Sequence, residues 1–229
     1  MTMTITKRFT APTFWPINVK ENKYVVSPTA GPHSRDACMP LAIVLRNLLK
    51  HAQNMKETKS ILNSGVVKIN GIVRKERGFP VGLMDVIDID GDFHRVVPSK
   101  HGLTLYATNA EDGAAHLVKI INKHHIGKKR VQLCLHDGTN ILVEKDDYKT
   151  SDVLAIEAGK IKHHVKFDRG VHAVVTAGNN MGLTGKVHSI DRKLKTVVLA
   201  AGEKNIIVPI KYVFAVGHDK PLVNLGEML

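Results

Sequence analysis

From about residue 66 to residue 217 the chain is a succession of short β-forming runs, most of them closed by a turn built on glycine, asparagine or aspartate. Such a pattern points to small antiparallel sheets and barrels. The clearest signal is "VVKINGIVRK", 66–75, where Asn70-Gly71 separates two short runs as in a type I′ hairpin. Asp137-Gly138 joins "RVQLCLH" to "TNILVE", Ala158-Gly159 joins "DVLAIE" to "KIKHHVKF", and "GLMDVIDI", 82–89, alternates as a further strand. From Gly170 onward five runs, "VHAVVTAG", "GKVHSID", "KTVVLAA", "NIIVPI" and "YVFAVG", have the lengths and polar turns of a small closed barrel. The loop in "VVTAGNNMGLTGKV" joins the first two, and its Gly178, Gly182 and Gly185 predict positive φ or a close approach.

Helical periodicity is confined to two stretches. Leu41, Val44, Leu45, Leu48 and Ala52 fall on one face, with Arg46 and Lys50 on another, which predicts an amphipathic helix with a basic side. In "NMKETKSILNSG", Asn54 is placed as an N-cap with Glu57 three residues on, and Gly65 as the stop; Thr58, Ile61 and Leu62 turn inward, Lys56 and Lys59 outward. "TNAEDGAA", 108–115, has the look of a brief helical turn. The first 40 residues hold five prolines and little periodicity, the signature of an extended arm. Phe14 and Trp15 are expected to anchor that arm, with base stacking as the other role open to Trp15.

Charge narrows the partner. Thirty-three Lys and Arg against 21 Asp and Glu give +12 at pH 7 and a pI near 9.7, which favours a polyanion, nucleic acid first and a membrane surface second. The longest apolar run, at 40–49, is interrupted by Arg46 and Asn47 and falls far short of the roughly 20 residues a bilayer requires, so no membrane span is expected. The opening "MTMTITKRFTAP" lacks the apolar core and cleavage site of a signal peptide, and Cys38 and Cys134 offer no disulfide framework; both fit a reducing cytoplasm. Without a cysteine pair no zinc site is expected, and the 13 histidines are taken as surface donors that add positive charge as pH falls. No P-loop, nucleophile elbow or H-E-x-x-H occurs, and Asp146, Asp147 and Asp152 in "EKDDYKTSD" are taken as a solvated loop, not a catalytic pair. The cations instead group on the two helices and the hairpin, at Arg46, Lys50, Lys56, Lys59, Lys68, Arg74, Lys75 and Arg77. Lys128, Lys129 and Arg130 sit in "HHIGKKR", a basic loop tip suited to phosphate.

The segment "RGVHAVVTAGNNMGLTGKV" resembles the KOW motif of ribosomal and transcription-associated proteins, and the module at 39–91 resembles the RNA-binding domain named after small-subunit ribosomal protein four. In order, "GPHSRDACMPLAIVLRNLLKHA", "KINGIVRKERGFPVGLMDVIDI", "LHDGTNILV", the KOW segment and "YVFAVG" are similar to the archaeal and eukaryotic small-subunit ribosomal protein four, e-type, over about residues 8–221. The resemblance implies an α+β, mostly β fold: an N-terminal arm at 1–38, the RNA-binding module at 39–91, a central β domain at 92–169, and an SH3-like KOW barrel with a tail at 170–229. It implies a non-enzymatic structural constituent of the small ribosomal subunit, partnered by the 5′ domain of the small-subunit ribosomal RNA and neighbouring ribosomal proteins, with no membrane, small-molecule substrate, cofactor or metal. The RNA-contacting residues it implies are the helix and hairpin cations above together with Lys7 and Arg8 of the arm and Gly178, Asn179, Asn180, Gly182 and Lys186 of the glycine loop. The chain departs from the family at its start, where "MTMTIT" stands in place of a leader rich in glycine, lysine and arginine. An RNA-modifying enzyme and a KOW-type transcription or translation regulator are the alternatives.

Overall fold

The computed structural model describes residues 6–126, 130–144, 146–157, 159–202 and 204–218. They build three five-stranded antiparallel sheets and two short strand pairs. The fold is α+β and mostly β, as the turn pattern predicts.

The arm is extended but not free. Its strands Thr6–Lys7 and Tyr24–Val25 pair with each other, and Cys38–Pro40 pairs with Pro80–Gly82. Trp15 is buried and its indole Nε1 donates to the Cys38 carbonyl at 2.8 Å, which satisfies the one polar atom of a large apolar group. It is an anchor and has no open face for a base. Phe14 packs where Gly102, at φ +125°, leaves space: a Cβ there would lie 2.1 Å from the Cβ of Phe14.

The first predicted helix is corrected. Only Leu41–Ile43 is α-helical, and Val44–Leu48 widens into a π turn in which the Leu49 N–H reaches the Val44 carbonyl at 3.0 Å. Lys50 then takes φ +57° and ends it. Periodicity alone predicts one apolar face, yet Ala42 and Ile43 are as buried as Leu41, Val44 and Leu45, because the segment lies inside a core shared with Trp15, Leu62 and Val96. A helix buried all round shows no solvent-facing basic side until its end.

The second helix, Met55–Ser64, follows its caps. Asn54 Oδ1 accepts from the N–H groups of Lys56 and Glu57 at 2.9 and 3.0 Å, Glu57 reaches back to the Gln53 N–H at 2.8 Å, and Gly65 closes it at φ +81°. Thr58 and Leu62 face the core, with Ile61 half-buried. Next come Val67–Ile69 and Ile72–Val73, joined through Asn70 at φ +51° and Gly71 at φ +80°, the two left-handed residues a type I′ turn demands.

Two further expectations change here. The run 82–89 is not one strand: Met84 turns at φ +64°, its N–H bonds the Val96 carbonyl, and only Val86–Ile89 continues as strand. The break swings Asp85 into the interior. Strands Asp92–Ser99 and Gly102–Thr108, expected in the central domain, extend the sheet of the helical module in the order Ile72–Val73, Val67–Ile69, Val86–Ile89, Asp92–Ser99, Gly102–Thr108. A tight connection through Asp90 and Gly91 makes hairpin pairing with Val86–Ile89 the short path, so this sheet crosses the boundary expected at residue 91. Arg95, fully buried, donates to the carbonyls of Asp112 and Ala115 at 2.6 and 2.7 Å and holds the helical turn Ala110–Ala114 against this sheet.

The second sheet runs Asn140–Val143, Arg130–Leu135, His116–Ile126, Val153–Glu157, Lys160–Val165. The third contains the five expected barrel strands in the order Lys204–Pro209, Thr196–Ala201, Thr184–Asp191, His172–Val175, Val213–Gly217, with the single-turn helix Ile210–Tyr212 joining its two edges. Those edges share no ladder among the described residues, so the SH3-like barrel is partly open. Second and third sheets bury one continuous core, with Leu117 and Val153 of the former and Phe167, two residues past its last strand, packed with Val174, Val187 and Phe214 of the latter.

Candidate nucleic-acid interface

The helix Met55–Ser64 and the hairpin that follows it present the most open set of predicted cations. Lys56, Lys59 and Lys75 are exposed and have no ion pair among the described residues. The helix end lies against the hairpin, since a Cβ on Gly65 would sit 3.8 Å from Val73 Cγ1 and 3.9 Å from Lys75 Cε. Lys50 is exposed nearby in sequence but belongs to the turn after the π segment, and Arg46 is half-buried, its Nε donating to Asn47 Oδ1 at 3.0 Å.

Other predicted residues have work inside the protein. Arg8 is 5% exposed; its guanidinium bonds the Asn18 carbonyl and Glu21 Oε2, the latter at 3.2 Å, so it is the staple of the arm's 18–24 loop and not a phosphate ligand. Lys68 pairs with Asp88 at 3.2 Å across the ladder. Arg74 is half-buried with its guanidinium 4.5 Å from the Phe79 ring centre, and Arg77 is half-buried too. In the glycine loop, Gly178 at φ +90° and Asn179 are exposed, and Asn180 is half-buried. Gly182, at φ +86°, is spoken for: a Cβ there would meet the backbone of Ser99 at 2.9 Å, and one on Gly185 would meet the Ala200 carbonyl oxygen at 2.6 Å. Of the three glycines two therefore serve internal packing, against the hairpin turn after Ser99 and against a neighbouring strand. Lys7, Arg130 and Lys186 are exposed on three different sheets; Lys128 and Lys129 lie outside the described residues.

Two groups escape sequence reasoning. Phe9 is 77% exposed and Tyr24 50%, with Lys23 Nζ 5.4 Å from the Tyr24 ring centre, so the arm carries open aromatic faces beside Lys7 and Lys23, whereas the aromatic singled out from sequence, Trp15, is closed. The signal was the alternation of lysine and aromatic in "KENKY" and "TKRF".

The second is a buried histidine–carboxylate cluster, which corrects the expectation that the histidines are surface groups. Asp85 accepts from His33 Nε2 at 2.9 Å, the Gly82 N–H at 2.8 Å and Asn70 Nδ2 at 2.9 Å, with His116 Nε2 at 3.6 Å. His136 accepts at Nδ1 from the Lys119 N–H at 3.2 Å, and its ring meets Phe214 edge-on. Arm, helical module, second sheet and barrel thus meet at one polar knot. Burial alone would lower the pKa of His33, but the hydrogen bond and charge of Asp85 raise it; burial would raise Asp85, and His33 holds it below the usual carboxylate range. Burial lowers His116, and lowers His136 to about 4.

A pH dependence follows. The raised pKa of His33 means its stabilisation is complete below about pH 6.5 and lost as pH rises through the folded value. The lowered pKa of Asp85 means its own is complete above about 3.9 and lost as pH falls through the folded value. His33→Asn should therefore lower the melting temperature, relative to the parent at each pH, more at pH 5.5 than at pH 8.5. An equal loss at the two pH values would show that His33 is neutral in the fold.

An arm clamped to a helix-and-hairpin module, followed by two sheets around one core, defines an α+β, mostly β protein, the fold class the family resemblance implies. The model of Ribosomal family S4e matches residues 90–162, and that of the RS4NT (NUC023) domain matches residues 6–36. The small ribosomal subunit protein eS4 of Methanosphaera stadtmanae is 40% identical over 228 residues, covering 96% of this chain and 94% of the relative. That of Methanothermobacter thermautotrophicus is 38% identical over 229 residues with the same coverage. The crystal structure of the 30S ribosomal protein S4e from Thermoplasma acidophilum superposes with a TM-score of 0.74 at 31% identity, covering 82% of this chain and all of that one. The chain belongs to the S4e family of ribosomal proteins.

Proposed function

We propose that this chain is a structural constituent of the small ribosomal subunit, cytoplasmic with it, that binds the 5′ domain of the small-subunit ribosomal RNA and packs against neighbouring ribosomal proteins. The observation that carries the reading is similarity to eS4 proteins over 96% of the chain, supported by the exposed cations Lys56 and Lys59 on the helix and Lys75 on the segment packed against its end, none with an ion pair among the described residues. Their role is positional: cations neutralise phosphates and release counterions, while contour selects the A-form helix whose narrow major groove side chains do not read. The KOW-like loop contributes through Gly178, Asn179, Asn180 and Lys186. Catalysis is not part of the reading. Lys123 pairs with Asp146, and Asp152 accepts from the N–H groups of Lys149 and Phe167 and from His164, so these carboxylates hold loops in place.

Sedimentation of a cell lysate through a high-salt gradient tests the reading. The protein should travel with the small subunit, and recovery of most of it at the top of the gradient would overturn the assignment.

A further inference from the structure

Between the second sheet and the barrel lies a cleft of about 1110 Å³ that takes no part in the helix-and-hairpin surface. Among the described residues six cations line it, Lys119, Lys123, Lys149, Arg192, Lys195 and Lys211, against one carboxylate, Asp152. That carboxylate is buried and fully engaged by its three donors. Two of the cations are also engaged. Lys119 Nζ donates to the carbonyls of Ile210, Lys211 and Val213 at 3.0, 3.3 and 2.7 Å, and burial lowers its pKa to about 8. Lys123 bonds Asp146 and the Tyr148 carbonyl.

The other four cations are exposed and come from three separate elements, and of these Lys211 has its Nζ 4.6 Å from the Tyr212 ring centre. Lys149 stands on the second-sheet side, without an ion pair among the described residues. Arg192 and Lys195 stand on the barrel side in a turn that is locked: Asp191 Oδ1 accepts from the N–H groups of Lys193 and Leu194 at 2.9 and 3.1 Å, Lys195 adopts φ +53°, and its carbonyl accepts from the Ile210 N–H at 2.9 Å. Lys211 follows on the single-turn helix. The floor is apolar, with Leu83, Ile120, Phe167 and Phe214, and the lip carries Leu194, 73% exposed. A cleft of this volume, apolar below and convergently cationic above, has the size of an organic-ligand site and the charge of a phosphate site.

We propose that this cleft takes an unpaired nucleotide of a single-stranded RNA segment, its base on the apolar floor and lip and its flanking phosphates on Lys149, Arg192, Lys195 and Lys211. The inference rests on the RNA-binding reading and adds a second site, for single strand, on a different pair of sheets from the duplex-facing helix and hairpin. A base with a phosphate on each side matches cations placed on both walls, and stacking or apolar burial of a base is worth about 1–3 kcal/mol in such sites.

The test uses the full chain, fluorescence anisotropy and three probes: labelled heptauridylate, a labelled blunt 16-base-pair RNA duplex, and uridine monophosphate as competitor. Arg192→Gln combined with Lys195→Asn, the latter chosen because asparagine tolerates the left-handed turn, should weaken heptauridylate binding about tenfold and make its salt slope shallower by about 1.4, at 0.7 per single-strand contact. Duplex binding should be unchanged, and Lys149→Gln on the opposite wall should weaken heptauridylate in the same direction. Uridine monophosphate should compete only weakly. Unaltered heptauridylate binding in both variants, or an equal loss of duplex binding, would overturn the cleft as a single-strand site. Competition by uridine monophosphate as strong as by unlabelled heptauridylate would overturn RNA as its source in favour of a free nucleotide. A parent that binds the duplex but not heptauridylate overturns this inference alone, whereas a parent that binds neither overturns the RNA reading beneath it.

Discussion

Replacing Asp85 with alanine should lower stability by about 4 kcal/mol near pH 6, a fall of about 10 °C in melting temperature for a chain of this size. The carboxylate is fully buried and receives three hydrogen bonds, from His33, Gly82 and Asn70, with His116 close by. Alanine would leave those donors without an acceptor where water does not reach, and His33 would lose the partner that raises its pKa. Asp85→Asn, which keeps one acceptor oxygen and removes the charge, should lose roughly half as much. Because His33 belongs to the arm and Asp85 to the helical module, the alanine variant should also become sensitive to limited proteolysis within 6–40. Thermal melts of parent and both variants, read with proteolysis, check this; a melting temperature within 2 °C of the parent for Asp85→Ala would mean that the knot contributes nothing to the fold.

The second large effect concerns binding. Lys56→Glu, Lys59→Glu and Lys75→Glu together should weaken binding to a duplex fragment of small-subunit RNA by on the order of 10² at about 50 mM salt, and should make the plot of log affinity against log salt shallower by about 3, at roughly 0.9 per phosphate contact, a duplex-DNA value carried over. Stability should move by less than about 0.5 kcal/mol, since all three side chains are exposed and lack an ion pair among the described residues. Reversing Arg74 and Arg77 would be a poorer probe. Arg74 stacks on Phe79 and both arginines are half-buried, so their loss mixes folding with binding. Filter binding across a salt series, with circular dichroism of each protein, makes the measurement; an unchanged slope would remove helix and hairpin from the RNA-contacting surface.

Where a feature is decided within a few residues, the chain declares it. The Asn54 and Glu57 cap, the Gly65 stop and the Asn70-Gly71 turn all lie where local chemistry places them, because each is satisfied by backbone groups two to four positions away. The five barrel strands are legible for the same reason. The first helix is not: its apolar spacing is helical, but its π widening answers to the core on every side of it. The histidine knot was invisible because His33, Asp85, His116 and His136 are remote in sequence and nothing local marks them as neighbours. The same holds for Lys119, one lysine among many in sequence and a buried brace in the fold, and for Arg8, which looks like a phosphate ligand and closes a loop instead. Charged residues were thus legible as a population and not as individuals, since composition reports total charge while burial decides which cation is free.

The core shared by the second sheet and the barrel has a consequence during synthesis. Leu117, Val153 and Phe167 are covered by Val174, Val187 and Phe214, which follow them in the chain. A nascent polypeptide emerging in order cannot complete that cover until Val213–Gly217, the last strand among the described residues, has left the exit tunnel. Two of the three sheets therefore mature together, late, and any premature stop before that strand leaves a sticky apolar face for the quality-control machinery to find.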